Sequence, residues 1–244
     1  MFFEKRFATA LLLLGEKQPT NGLTTRKMKG SAAILSFLNE CSYTVWPATF
    51  SGNDGPALGD GSFSLAPGQS IQLIVDPGWS GRVWARTGCN FDSSGNGKCL
   101  TGDCGSLNCI GDGQPPFTLA RFIISLGTTD NTFYDISLVE GYNVGMRIDA
   151  TGGTTDCQHA GCIADLNCPP ELRVVDFFGS VVACKSECGA FNEAQCCCAD
   201  DYSTPQTCSR TQYAEMFKAC PNDVSSRFTC SGSNFLITFC PEEL

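Results

Sequence analysis

From Ala33 onward, apolar residues recur in short runs broken by turn residues. Val144, Met146 and Ile148 fall on every second position, as do Phe235, Ile237 and Phe239. That period is the signature of a strand with one buried face. Runs rich in β-branched and aromatic residues predict strands at Ile34–Leu38, Tyr43–Trp46, Ser70–Val75, Arg82–Arg86, Thr118–Ile124, Asp135–Val139, Asn143–Ile148 and Asn234–Phe239. Clusters such as Gly52-Asn53-Asp54-Gly55-Pro56, Asp76-Pro77-Gly78 and Gly111-Asp112-Gly113-Gln114-Pro115-Pro116 punctuate them. Many short, turn-bounded strands argue for a mainly-β antiparallel sandwich or barrel. One segment breaks the rhythm. In Ser209–Cys220, Tyr213, Met216, Phe217 and Cys220 recur at helical spacing, a stripe read as core packing. Ser209 and Gln212 are placed for a capping box, and Pro221 stops the helix.

Composition narrows the class. The chain has 244 residues, 42% hydrophobic and 17% charged, enough for a sizeable core and unlike a disordered polyelectrolyte or a membrane bundle. It holds 17 cysteines and one histidine, His159, which reads as a surface-loop residue. No Cys-x-x-Cys spacing occurs, so the zinc-ribbon pattern is missing and an oxidised, secreted framework is the expectation. Sixteen cysteines make eight bridges and leave one over. No cofactor or metal site can be assembled, nor a Ser/His/Asp triad, a phosphate-binding loop or a redox dithiol.

Charge excludes another class. The formal net charge is −9, and the first 33 residues carry six basic against two acidic side chains, so the remainder carries −13. An acidic body repels phosphate backbones, which excludes nucleic acid as a partner. At the N-terminus, Glu4-Lys5-Arg6 followed by Phe7 to Leu14 resembles the start of a signal peptide, with Gly30-Ser31-Ala32 as a small-x-small cleavage site. The apolar run is too short to span a bilayer. Residues 1–32 are therefore expected to be a leader with an untidy boundary, Met28 being a possible internal start. Residues 33–244 are then expected to be one secreted domain.

Several separate segments are similar to the thaumatin family. They are Cys41-Ser42-Tyr43-Thr44-Val45-Trp46, Gly81-Arg82-Val83-Trp84-Ala85-Arg86-Thr87-Gly88-Cys89, Gly95 to Cys104, Tyr134-Asp135-Ile136-Ser137-Leu138-Val139 and Thr238-Phe239-Cys240-Pro241. The resemblance, to the pathogenesis-related class of that family, runs from about residue 33 to 241. It implies a flattened antiparallel β-sandwich, a disulfide-rich loop and helix extension over 157–220, and a small stapled loop region over 87–116. It also implies the pairs Cys41–Cys240, Cys89–Cys99, Cys104–Cys109, Cys157–Cys230, Cys162–Cys220, Cys168–Cys184, Cys188–Cys197 and Cys198–Cys208. Cys196 is then the odd cysteine, either an inert thiol or the site of an intermolecular disulfide.

The family's antifungal and glucan-related members share an acidic cleft of one arginine, one glutamate and three aspartates. Arg82 matches the arginine, Asp135 one aspartate, and Glu140 stands for another. Arg121 occupies the glutamate position, a charge reversal, and Asp223 is a doubtful substitute for the last aspartate. Glycoside hydrolysis needs two carboxyl groups about 5–9.5 Å apart. Asp135 and Glu140 are five residues apart and would face opposite sides of one strand unless a turn after Val139 joined them. The resemblance thus implies a monomeric, defence-type protein that binds a cell-wall β-glucan or an extracellular protein without catalysis. The alternatives are an endo-β-1,3-glucanase using Asp135 and Glu140, or a structural or enzyme-inhibitor scaffold. Trp46 and Trp84 read as core, Trp79 as a surface aromatic, and Asp103 as a turn former.

Overall fold

The computed structural model describes residues 32–52, 58–109, 111–127, 130–153, 157–162, 167–204, 206–208, 213, 227–232 and 234–242. Two five-stranded sheets face each other. The first, in spatial order, contains β10 (Ala160–Cys162), β9 (Met146–Thr151), β14 (Asn234–Phe239), β1 (Ala33–Asn39) and β3 (Ser70–Val75). The second contains β13 (Phe228–Ser231), β8 (Asn131–Ser137), β7 (Leu119–Ile123), β4 (Ser80–Thr87) and β2 (Val45–Ser51). Pairing is antiparallel except between β1 and β14, which run parallel with Leu35 opposite Phe235.

Alternation decides which side chains meet. In β1, Ala33, Leu35, Phe37 and Asn39 are buried while Ile34, Ser36 and Leu38 are half-buried. Phe235 and Ile237 of β14 and Met146 and Ile148 of β9 join them from the same sheet. The second sheet contributes Val83, Ala85, Ala120, Phe122, Tyr134 and Ile136. Phe235 closes the gap between layers, its ring 5.5 Å from Phe122 and 5.0 Å from Tyr134. Buried Asn39 is fully satisfied: its amide donates to the carbonyls of Tyr43 and Leu65, and its Oδ1 accepts from the Cys41 N–H.

Outside the sandwich lie two stapled regions. The first holds the small hairpin β5 (Asn90–Phe91) and β6 (Gly97–Lys98) with the Cys89–Cys99 and Cys104–Cys109 bonds. It lies over part of the second sheet's outer face, where Ala48, Trp84, Cys109, Phe117 and Leu119 form a separate apolar cluster. Fully buried Arg86 ties it down, donating to the carbonyls of Trp46, Ser106 and Leu107. Burial lowers the Arg86 pKa to about 10, opposed by the charge of Asp103, which leaves the guanidinium charged at neutral pH. The second region contains β11 (Arg173–Val175), β12 (Val181–Cys184) and two short helices, α1 (Glu187–Phe191) and α2 (Ala194–Cys197). Cys168–Cys184, Cys188–Cys197 and Cys198–Cys208 pin it internally, and Cys157–Cys230 joins its start to β13. Cys41–Cys240 joins the ends of β1 and β14.

Several sequence expectations shift. The strand expected at Asp135–Val139 runs from Asn131 to Ser137, because Phe133 and Tyr134 already pair with β7. The strand expected from Asn143 begins at Met146, since the Asn143 side chain instead accepts from Thr118 N–H and donates to the Ala85 carbonyl. Trp79 is not a surface aromatic but is 7% exposed, its indole N–H donating to Ser51. Trp84 is buried and Trp46 half-buried. The helix expected over Ser209–Cys220 lies outside the described residues except for Tyr213, which donates to Glu171 at 2.7 Å. The leader region lies outside them too, save its last residue, and so does Cys220, the implied partner of Cys162. Among the described residues, no helix is long and apolar enough to cross a membrane.

Candidate binding cleft

The stapled loop covers only one end of the second sheet's outer face. At the other end, strand register sets a row of side chains next to one another. Phe50 of β2 lies opposite Arg82 of β4, Arg82 opposite Arg121 of β7, and Arg121 opposite Asp135 of β8. Arg227, one residue before β13, continues the row, its Nε 3.9 Å from Asp135 Oδ2. Two residues along each strand, on the same face, Ser80 opposes Ile123 and Ile123 opposes Phe133. The two rows line an open cleft of about 230 Å³.

Charges in this row are arranged tightly. Arg121 holds Asp135 in a two-point fork, Nε to Oδ1 at 2.6 Å and Nη2 to Oδ2 at 2.9 Å. The Asp135 side chain is 5% exposed, whereas Arg121 remains 43% exposed. Arg82 sits 5.1 Å over the Phe50 ring and reaches Asp112 of the stapled region at 2.5 Å. Two arginines directly opposite each other repel, and each is relieved by one carboxylate. With Asp112 counted beside Asp135, three guanidiniums meet two carboxylates, an excess of one positive charge at this cleft on a chain of net charge −9.

Arg82, Arg121 and Asp135 therefore come together. Glu140 is not among the residues lining the cleft. β8 ends at Ser137, and the chain then turns, with the Gly141 N–H donating to the Leu138 carbonyl. Gly141 has φ +97°, and a Cβ there would lie 2.6 Å from the Cys184 carbonyl oxygen, so the turn is fixed in a form only glycine fits. Asp223 lies outside the described residues. Sequence reasoning missed Arg227, Asp112, Phe50, Ile123 and Phe133. Ile123 and Phe133 sit in or beside the expected strands, two positions from Arg121 and Asp135, and period two alone could have found them, whereas Phe50 lies on a part of β2 beyond the strand expected at Tyr43–Trp46. Arg227 carried no such signal, because its neighbour Asp135 is 92 residues away in the chain. Among the described residues no group of three His, Cys, Asp or Glu side chains could hold a metal ion.

Fold and cleft together define a disulfide-framed β-sandwich with an open, polar outer groove. The model of the Thaumatin family matches residues 39–241. Pathogenesis-related protein 5 of Arabidopsis thaliana is 54% identical over 220 residues, covering 86% of this chain and 91% of that protein. A glucan endo-1,3-beta-glucosidase of Prunus avium is 46% identical, with 86% and 91% covered. Among solved structures, the thaumatin-like xylanase inhibitor TLXI superposes with a TM-score of 0.50 at 27% identity, covering 85% of this chain and 99% of that one. The chain belongs to the thaumatin family, with the pathogenesis-related, thaumatin-like proteins.

Proposed function

We propose that this chain is an extracellular defence protein whose cleft binds a cell-wall polysaccharide without hydrolysing it. One observation carries the reading: Asp135, the single carboxylate among the described residues lining the cleft, has both oxygens engaged by Arg121. Retaining and inverting hydrolysis each need two carboxyl groups flanking the scissile bond, one of them free to donate a proton. Asp135, forked by Arg121, cannot fill both carboxyl roles alone, and Glu140 is not among the residues lining the cleft. The disulfide framework and the leader-like N-terminus support an extracellular location.

The test is release of reducing ends from soluble β-1,3-glucan by the purified protein. No turnover is expected. Turnover abolished by Glu140→Gln would overturn the reading in favour of the activity for which the Prunus avium relative is named. The likeness to TLXI supports a second reading, an inhibitor that docks on a protein. That reading gains if the folded protein binds no cell-wall polysaccharide yet inhibits a glycan-degrading enzyme.

A further inference from the structure

Resting on the polysaccharide reading above, we infer that the cleft selects an acidic glycan, a uronate-containing chain, rather than a neutral β-glucan. Neutral sugars are recognised by paired acceptors and donors that ring their hydroxyls. This cleft instead presents an excess of donors with fixed positive charge. Arg121 and Arg227 share the buried carboxylate of Asp135, Arg82 pairs with Asp112, and Arg82 and Arg121 stand directly across from each other on neighbouring strands, three cations to two anions. Their side chains are 35%, 43% and 57% exposed, so each keeps N–H groups available to a ligand. A guanidinium fork matches a carboxylate in two-point geometry. A ligand carboxylate placed between Arg82 and Arg121 relieves a repulsion that the protein otherwise relieves through separate carboxylates, Asp112 on Arg82 and Asp135 on Arg121.

The second row decides between a sugar acid and an acidic peptide. Ile123 is 47% and Phe133 37% exposed, and they lie on the same face as Arg121 and Asp135, two residues along β7 and β8. Two residues of strand span roughly 7 Å. A uronate ring carries both complements at once, a carboxylate on one edge and an apolar C–H face beside it. An aspartate or glutamate side chain has the carboxylate but no such face. The cleft volume of about 230 Å³ lies below the ~300–1,000 Å³ of a pocket for a whole small ligand. It suits one unit of a chain that continues into solvent at both ends.

The experiment is a binding titration at low ionic strength with four probes: polygalacturonate, its fully methyl-esterified form, soluble β-1,3-glucan and poly-glutamate. Polygalacturonate is expected to bind, the methyl ester and the neutral glucan at least tenfold more weakly, and affinity is expected to fall as salt screens the exposed charges. Arg227→Gln, a change at an exposed residue, should weaken polygalacturonate about tenfold, the effect of one charge-assisted contact. Arg82→Gln should do the same, with circular dichroism confirming the fold of both. Equal binding of acid and ester, or no effect of either variant, overturns the inference. Binding of neutral glucan alone overturns it while leaving the proposed function standing. Poly-glutamate binding as tightly as polygalacturonate replaces the glycan with an acidic protein. A folded protein that binds no polysaccharide overturns this inference and the proposed function together.

Discussion

Glu187, in the first turn of α1, accepts a hydrogen bond from the Cys196 thiol of α2 at 3.1 Å. That bond comes first among the influences on the thiol; burial and the charges of Glu187 and Glu193 act in the same direction, and together they raise its pKa from 9.0 to about 11. Cys197 and Cys198, the next two residues, are both in disulfides, so a reactive thiol here would scramble its neighbours. Two pKa units lower the thiolate fraction roughly 100-fold, and the gain in intrinsic nucleophilicity returns nearly tenfold of it. Alkylation of native protein at pH 8 is therefore expected to run about tenfold slower than for an ordinary free cysteine. Glu187→Gln should restore most of the difference, and rates equal in the two proteins would show that the carboxylate does not govern the thiol. The folded state keeps this proton between about pH 9 and 11 where an unfolded thiol releases it. Its contribution to stability accordingly declines as pH rises through that window.

At the scale of elements, the outer face of the β2–β4–β7–β8 sheet is divided by what lies over it. Trp84 and Leu119 go under the stapled loop, while Arg82 and Arg121, on the same face and two residues away, stay in the open. Gly81 sets the floor of that open half. A Cβ at this position would lie 2.2 Å from the Trp79 ring and 2.6 Å from the Phe50 carbonyl oxygen, neither of which can withdraw, since Trp79 is buried and Phe50 is paired in β2. Gly81→Ala is thus expected to cost about 1–3 kcal/mol, the range for overpacking, as read by chemical denaturation, and to weaken cleft binding by displacing Arg82. An unchanged denaturation midpoint would mean that the indole and strand shift freely. Alternation made the central strands legible in the sequence, as in Ala33 to Asn39, because period two survives in a single chain without its neighbours. The hairpin β11–β12 and strands β10 and β13 were not legible. They are three or four residues long and exist through disulfides and partner strands rather than their own pattern. The cleft was half legible for the same reason. Arg82, Arg121 and Asp135 sit on expected strands, but register, which the sequence does not encode locally, brought Arg227 to Asp135 and left Glu140 out.

The whole molecule closes where β1 and β14 lie side by side in parallel, with Cys41 and Cys240 bonded just beyond their ends. A bond between residues 199 apart removes the largest loop-closure entropy available to this chain, roughly 5 kcal/mol if the chain-entropy model holds. It is also far from the charged row, since β1 and β14 belong to the opposite sheet and turn Leu35, Phe37, Phe235 and Ile237 toward the shared core. These two facts separate stability from binding. The double variant Cys41→Ser/Cys240→Ser is expected to lose about 2–5 kcal/mol, seen as a lower midpoint in denaturant. Register of β1 on β14 is held by backbone bonds and buried apolar side chains, so the fold should persist at low temperature. Affinity for polygalacturonate, measured well below the variant's melting temperature, should then equal that of the parent. A loss of affinity in a variant that is still folded would show that the seam between the chain's two ends transmits strain across the core to the arginine row, and that the two sheets do not act as independent layers.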